Sequence, residues 1–226
     1  MGIEILKPEV TPVIRGVLFD MDGLVLDTEK LYSRFWMEAC HFYGYPMTYE
    51  QSLSMRAANS HVGAQNLKRF FGPEIDYKTI RDKRVELMDA FIAENGVEPK
   101  PGIFELMDFL EEQGIPAAIT SSSPADRIRA HLSSLGLYHR FTAICSGYDV
   151  PCGKPAPDIY LHGAASLGLD SKNCLALEDA PLGIESAFRA GCVPVMVPDQ
   201  APPDEQTNAM LYAKADSLAD IIDLLK

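Results

Sequence analysis

The stretch "GVLFDMDGLVLDTE", Gly16 to Glu29, sets an apolar run directly against a group of acids. Val17, Leu18 and Phe19 read as a short strand buried on both faces. Asp20, Asp22, Asp27 and Glu29 come directly after it, with Gly23 among them. Unpaired carboxylates at the end of a buried strand repel one another and lose hydration. A bound cation or a phosphoryl group compensates for that better than water alone.

Working outward, the same pattern of apolar run, turn and helix recurs. Further strands are predicted at Pro116–Thr120, Phe141–Ile144, Cys174–Leu177 and Val193–Val197. The helix before the second strand is marked at both ends, by Pro101-Gly102 and by Gly114, with Ile103, Leu106, Met107 and Leu110 on one face. A helix from Gly183 to Gly191 is predicted to turn Ile184, Ala187 and Phe188 inward. Short apolar strands alternating with amphipathic helices indicate a parallel sheet covered on both faces, with ligands at the carboxyl ends of its strands.

Leu31 to Glu98 differs. Phe35, Ala39 and Phe42, then Val62, Leu67 and Phe70, then Val85, Leu87, Met88 and Phe91 repeat at helical spacing, and Gly44, Gly72-Pro73 and Asn95-Gly96 break the pattern. The fold class expected is therefore α/β. A Rossmann-like parallel sheet core (residues 1–30 and 99–226) carries an inserted α-helical domain (31–98). The Pro-rich "VPDQAPPDE", Val197 to Glu205, is expected as a surface loop.

A net charge of −12 with no Lys/Arg run disfavours nucleic acid and anionic membrane surfaces as partners. No apolar run approaches the about 18 residues of a membrane span. Leu6 stands where a myristoylation signal on Met1-Gly2 needs Ser or Thr. The five cysteines, Cys40, Cys145, Cys152, Cys174 and Cys192, are scattered, form no C-x-x-C pair and come after no signal peptide. The expectation is a cytoplasmic protein with reduced thiols. His41, His61, His131, His139 and His162 fit no metal-ligand spacing, and no assembly motif argues against a monomer.

The chemistry lies at the strand ends. Asp20-Met21-Asp22-Gly23 ends the first strand, Ser121-Ser122-Ser123-Pro124 the second and Glu178-Asp179 the fourth, and Gly153-Lys154-Pro155 lies beyond the third. A parallel sheet brings these ends to one edge. There Asp20 is suited to attack phosphorus, and Asp22 to protonate a leaving oxygen and later deprotonate water. Lys154 and the Ser121 hydroxyl are suited to the equatorial phosphoryl oxygens. Asp20, the Asp22 carbonyl, Asp179 and Glu178 offer the hard oxygens that magnesium takes.

"FDMDGLVLDTE", "ITSSS", "GKPAPDIY" and "LEDAPLGIESAFRAG" together resemble the haloacid-dehalogenase-like hydrolase superfamily, in its beta-phosphoglucomutase-like phosphatase branch. The resemblance implies Asp20 as nucleophile, Asp22 as acid/base, Ser121 and Lys154 as phosphate ligands, and Asp179 with Glu178 as the Mg2+ group. It implies that the helical insert is a cap that closes over the site, and that the substrate is a small phosphorylated metabolite, a sugar phosphate or a nucleotide. Asp22 disfavours dehalogenase and phosphonatase chemistry. A mutase of the branch carries His where this chain has Tyr32, and its cap loop has Gly and Arg near where Ala57 and Ser60 stand. A phosphatase is therefore expected, with a phosphosugar mutase and a non-catalytic phosphate-binding regulator as alternatives. Glu29 is either a substrate contact or, with Asp27 and Thr28, a helix cap. Arg56 is either a cap contact to substrate or a solvated helix-end charge. Ser122 and Ser123 suit the cap of a helix beginning at Pro124, Ser122 also lying near phosphate. Phe35 and Trp36 are expected in the core of the insert.

Overall fold

The computed structural model describes residues 2–55, 60–198 and 203–226, apart from the Glu29 side chain. The chain divides into two compact units, Met1–Asp27 with Glu98–Lys226, and Thr28–Val97.

The first unit is built on a sheet of β1 (Ile3–Ile5), β2 (Gly16–Phe19), β3 (Ala117–Ser121), β4 (Ala143–Ser146), β5 (Cys174–Glu178), β6 (Val193–Met196) and β7 (Ala213–Ala215). The spatial order is β1-β7-β6-β5-β2-β3-β4. All neighbours run parallel except β1, which pairs antiparallel with β7. The sheet is thus mixed where the sequence predicts parallel strands only. Its two extra strands on one side, "IEI" at the edge and "AKA" beside it, are three residues long and too polar for an apolar run to announce them.

Val17, Leu18 and Phe19 are wholly buried, and so are β3 and β5 on either side of β2. Each such side chain contributes about 1.5–3 kcal/mol through burial, so β2 is anchored at the centre. One face packs Leu18, Ala118 and Ala176 under Ile159, Tyr160 and Ala164 of a covering helix. On the other, Phe19 meets Phe141 edge to face at 5.6 Å.

The helices are α1 (Glu29–Phe42), α2 (Tyr49–Leu53), α3 (Ser60–Phe71), α4 (Tyr77–Asn95), α5 (Ile103–Gln113), α6 (Ala125–Ser134), α7 (Asp158–Ser166), α8 (Pro181–Arg189), α9 (Glu205–Met210) and α10 (Ile222–Leu225). In α5, Ile103, Leu106, Met107 and Leu110 are buried, as their spacing predicts. In α8, Ile184 and Ala187 are buried but Phe188 is 47% exposed, under the Lys7 ammonium at 5.5 Å. The inward assignment of Phe188 is corrected accordingly: it sits on the rim of the helix's apolar stripe, where a cation covers the ring.

In the helical unit Phe35, Trp36, Ala39 and Cys40 of α1 are buried, with Leu67 of α3 and Ile80 of α4. Phe35 meets Phe91 at 5.4 Å. Arg84 of α4 is buried with its guanidinium 4.6 Å from the Tyr32 ring and 5.4 Å from Trp36. Phe42, at helical spacing from Phe35 and Ala39, is 64% exposed at the last position of α1, with Lys83 over its ring. Val62 is also exposed. Thr28 stands at the N-cap position of α1 without a side-chain cap bond. Its backbone is in the helical region, where the hydroxyl does not reach back to the next turn's N–H groups.

The two ends of the sheet unit that lead to this insert lie side by side, Asp27 N–H donating to Glu98 C=O at 2.8 Å. Residues 199–202 of the Pro-rich loop lie outside the described residues. Among the described residues no helix is long and apolar enough to cross a membrane.

Candidate active site

Asp20 is the first residue past β2, and its N–H still donates to Leu177 C=O of β5 at 3.0 Å. The chain then turns tightly. Val25 and Leu26 N–H groups return to Met21 C=O, and Gly23 N–H donates to Leu26 C=O. Gly23 has φ +89°, which a side chain disfavours. Met21, Leu24, Val25 and Leu26 are buried by this turn, so apolar residues flank the acids on both sides while Asp22 remains half-exposed.

Ser121 ends β3, one strand over. Its hydroxyl accepts from Ser123 N–H at 3.0 Å, and its C=O accepts from Gly147 N–H at 2.7 Å. Ser122 is exposed and Ser123 is buried. α6 begins at Ala125 with Pro124 at its cap and no side-chain cap bond. The Ser123 hydroxyl instead donates to Asp22 Oδ2 at 3.0 Å. The expected capping role of the serines is replaced by this contact, because Ser123 N–H turns back to Ser121 and points the side chain across the strand ends.

Lys154 lies beyond β4, in a loop whose Lys154–Pro155 peptide is cis. Its Nζ donates to Asp20 Oδ1 and Glu178 Oε1, both at 2.6 Å, and all three side chains are at most 12% exposed. Glu178 ends β5. The Tyr160 hydroxyl of α7 donates to the same Oε1, and Lys154 Nζ lies 5.1 Å from the Tyr160 ring. Behind the Glu178 carboxylate stands Gly183. A Cβ at that position would come within 1.9 Å of the carboxyl carbon, so the first turn of α8 admits Glu178 only because it carries no side chain there.

Burial pushes the Asp20 carboxyl up to about 7, with Glu178 and Asp22 adding to the rise and Lys154 opposing it. Burial works against the Lys154 ammonium, but the Asp20 and Glu178 carboxylates more than offset it and raise its pKa. The Tyr160 hydroxyl is held far above its ordinary value by burial and by the Glu178 charge. Asp20, Glu178 and Asp179 each bring one carboxylate oxygen within 4.8 Å of the others. Three hard oxygen donors so grouped at the end of buried strands fit a small divalent cation. The Asp22 side chain is not in that trio; it turns to Ser123.

Of the residues predicted from sequence, Asp20, Lys154, Glu178 and Asp179 are thus gathered at one sheet edge, with Asp22 and Ser121 linked through Ser123. Ser122 faces solvent. Glu29 opens α1, but its side chain lies outside the described residues, as does all of Arg56 with Ala57, Ala58 and Asn59. Sequence reasoning gave Ser123 a helix-cap role and passed over Tyr160 and Gly183 as residues that shape the site. Those two stand inside the motifs "GKPAPDIY" and "LEDAPLGIESAFRAG", which was the available signal.

A model of the haloacid dehalogenase-like hydrolase family matches residues 17–197. The chain is 30% identical over 204 residues to hexitol phosphatase A of Escherichia coli, covering 88% of this chain and 91% of that protein. It is 29% identical over 176 residues to the fructose-1-phosphate phosphatase YqaB of the same organism, covering 78% and 92%. The fold matches CbbY from Rhodobacter sphaeroides, solved in complex with phosphate, with a TM-score of 0.74 at 24% identity over 92% of this chain and 96% of that one. With this match across most of its length, the chain belongs to the haloacid dehalogenase-like hydrolase family, among its phosphatases.

Proposed function

We propose that the protein is a magnesium-dependent phosphomonoesterase that transfers a phosphoryl group from a small metabolite, a sugar phosphate or a nucleotide, to Asp20 and then to water. The observation that carries this reading is the meeting of Asp20, Glu178 and Asp179 on one edge with Lys154 bonded to two of them. The names of the relatives favour phosphorylated sugars and sugar alcohols.

The Asp20 carboxylate attacks phosphorus while Asp22 gives a proton to the departing oxygen. Asp22 then takes a proton from the water that attacks the aspartyl-phosphate, and phosphate leaves with Asp20 restored. Lys154 and the Ser121 hydroxyl take the equatorial oxygens. Asp20, Glu178, Asp179 and the Asp22 carbonyl would hold magnesium, which supplies the positive charge that lets a carboxylate approach a phosphate. The helical unit acts as a cap that selects the substrate, with Glu29 and Arg56 as its candidate contacts.

The test is phosphate release from a panel of sugar phosphates, nucleotides and small phosphorylated acids, with magnesium and with EDTA, beside Asp20→Asn. Release that needs metal and falls on the order of a thousandfold in the variant supports the reading. Release that survives in Asp20→Asn would remove the nucleophile from it. Conversion of beta-glucose 1-phosphate to the 6-phosphate without release would replace it with a mutase. Phosphate-ligand binding with neither reaction would leave a regulator.

A further inference from the structure

We propose that Ser123 is a positioning residue for Asp22: its hydroxyl holds Oδ2 of the acid/base carboxyl and so fixes the orientation in which that carboxyl meets the leaving group. This rests on the reading of Asp22 as acid and base.

Ser123 is fixed on three sides. Its N–H donates to Ser121 Oγ at 3.0 Å. Its C=O accepts from Ser146 Oγ at 2.8 Å. Ser146 is itself locked at the end of β4, its hydroxyl accepting from Tyr148 N–H at 3.2 Å and its N–H donating to Asp149 Oδ2 at 3.1 Å. With both backbone groups engaged, Ser123 has its hydroxyl left, and that crosses to Asp22 Oδ2 at 3.0 Å from a site only 8% exposed. The hydroxyl caps no helix, since α6 begins without a side-chain cap bond. Two strand ends thereby aim one carboxyl group.

The bond gives Ser123 a role in the reaction by fixing the Asp22 carboxyl about its χ2 bond through Oδ2. In the first step Asp22 passes its proton to the leaving oxygen as the P–O bond breaks and the Asp20–P bond forms. In the second, Asp22 takes a proton from water as water bonds phosphorus and the Asp20–P bond breaks. The serine proton is not consumed in either. Without Ser123 the carboxyl turns about its χ2 bond, and protonation of the leaving group suffers where the leaving group needs it.

Leaving-group dependence therefore tests the proposal. Single-turnover release of fructose from fructose 1-phosphate, which departs as an alcohol, is compared with release of p-nitrophenol from p-nitrophenyl phosphate, which departs as a stable anion. General acid catalysis is worth about 10²–10⁴-fold, and loss of its aim in Ser123→Ala is expected to slow the sugar reaction at least tenfold more than the aryl one. Ser123→Thr, which keeps the hydroxyl, restores the ratio, and magnesium affinity by calorimetry is expected to change little, since the Ser123 hydroxyl bonds the Asp22 side chain and none of the three carboxylates grouped for the metal. Ser123→Cys, close in size with a weak donor, gives the same ratio as alanine if the latter does not fold. Asp22→Asn separates the role of Ser123 from that of Asp22. Selective loss in Asp22→Asn with equal loss on both substrates in Ser123→Ala overturns the inference alone. Equal loss in Asp22→Asn overturns the acid role of Asp22, and the inference with it.

Discussion

At Tyr160 a single oxygen separates packing from chemistry. Its ring fills the space under β2 and β3, and its hydroxyl is bonded to the carboxylate that also holds Lys154. Tyr160→Phe keeps the ring and removes a hydrogen bond to a charged group, worth about 1.5–3 kcal/mol. The expected result is a lower melting temperature together with several-fold weaker magnesium binding by calorimetry, since Glu178 loses one of its two anchors. The cysteines give a simpler prediction. Burial pushes Cys40 and Cys192 up to about 12 and Cys174 up to about 11, whereas Cys152 is exposed. Only thiolate reacts with a disulfide reagent, so one thiol of five should react quickly at pH 8 and the remaining four on denaturation. Unfolded thiols ionise near pH 9 while the buried ones stay protonated, so these groups should lower stability as pH rises from about 9 towards 12, read from melts across that range. Asp20, Glu178 and Asp179 were legible in the sequence because they stand where a buried strand stops, and Lys154 because it stands in a Gly-Lys-Pro loop beyond one. The pairs Ser123–Asp22 and Tyr160–Glu178 were not. Their partners are remote along the chain, and strand register, not local pattern, decides that they meet.

Among the elements, α8 shows how a helix start is shaped by what it receives. An alanine in place of glycine inside a helix ordinarily gains about 1 kcal/mol. At Gly183 the gain is overruled, because a methyl group would occupy the place of the Glu178 carboxyl. Gly183→Ala is expected to expel that carboxylate, abolish measurable magnesium binding and cut phosphate release at least a hundredfold, as for loss of a ligand's support. Circular dichroism that retains the helical signal would separate this from general unfolding. Strands β2 to β6 and helix α5 were readable, since strands buried for most of their length are continuous apolar runs and α5 carries breakers at both ends. Strands β1 and β7, together at one side of the sheet, were not, being short and part polar. Phe188 was placed on the wrong side because periodicity marks a stripe but not its rim, where Lys7 covers the ring, as Lys83 covers that of Phe42.

For the whole molecule, charge is the governing quantity. The chain carries −12 overall, and three carboxylates of the site converge on one place with one lysine among them. Magnesium at a hundred times its dissociation constant adds about 2.7 kcal/mol to the folded state. For a chain of this size that raises the melting temperature by roughly 5–10 °C. The rise should appear in calorimetry against an EDTA control and disappear in Asp179→Asn. An equal rise in the variant would place the ion elsewhere.

The strand order has one more consequence, for the timing of synthesis. β2 lies between β3 and β5, and its pairing with β5 joins residues 158 positions apart, Gly16 with Cys174. At about 5–20 residues per second, the ribosome needs roughly 8–30 s to make the second neighbour after the first strand has emerged. Through that interval the segment bearing Asp20 is an apolar strand with an open edge, and a nascent chain in that condition is a ready ligand for a holding chaperone.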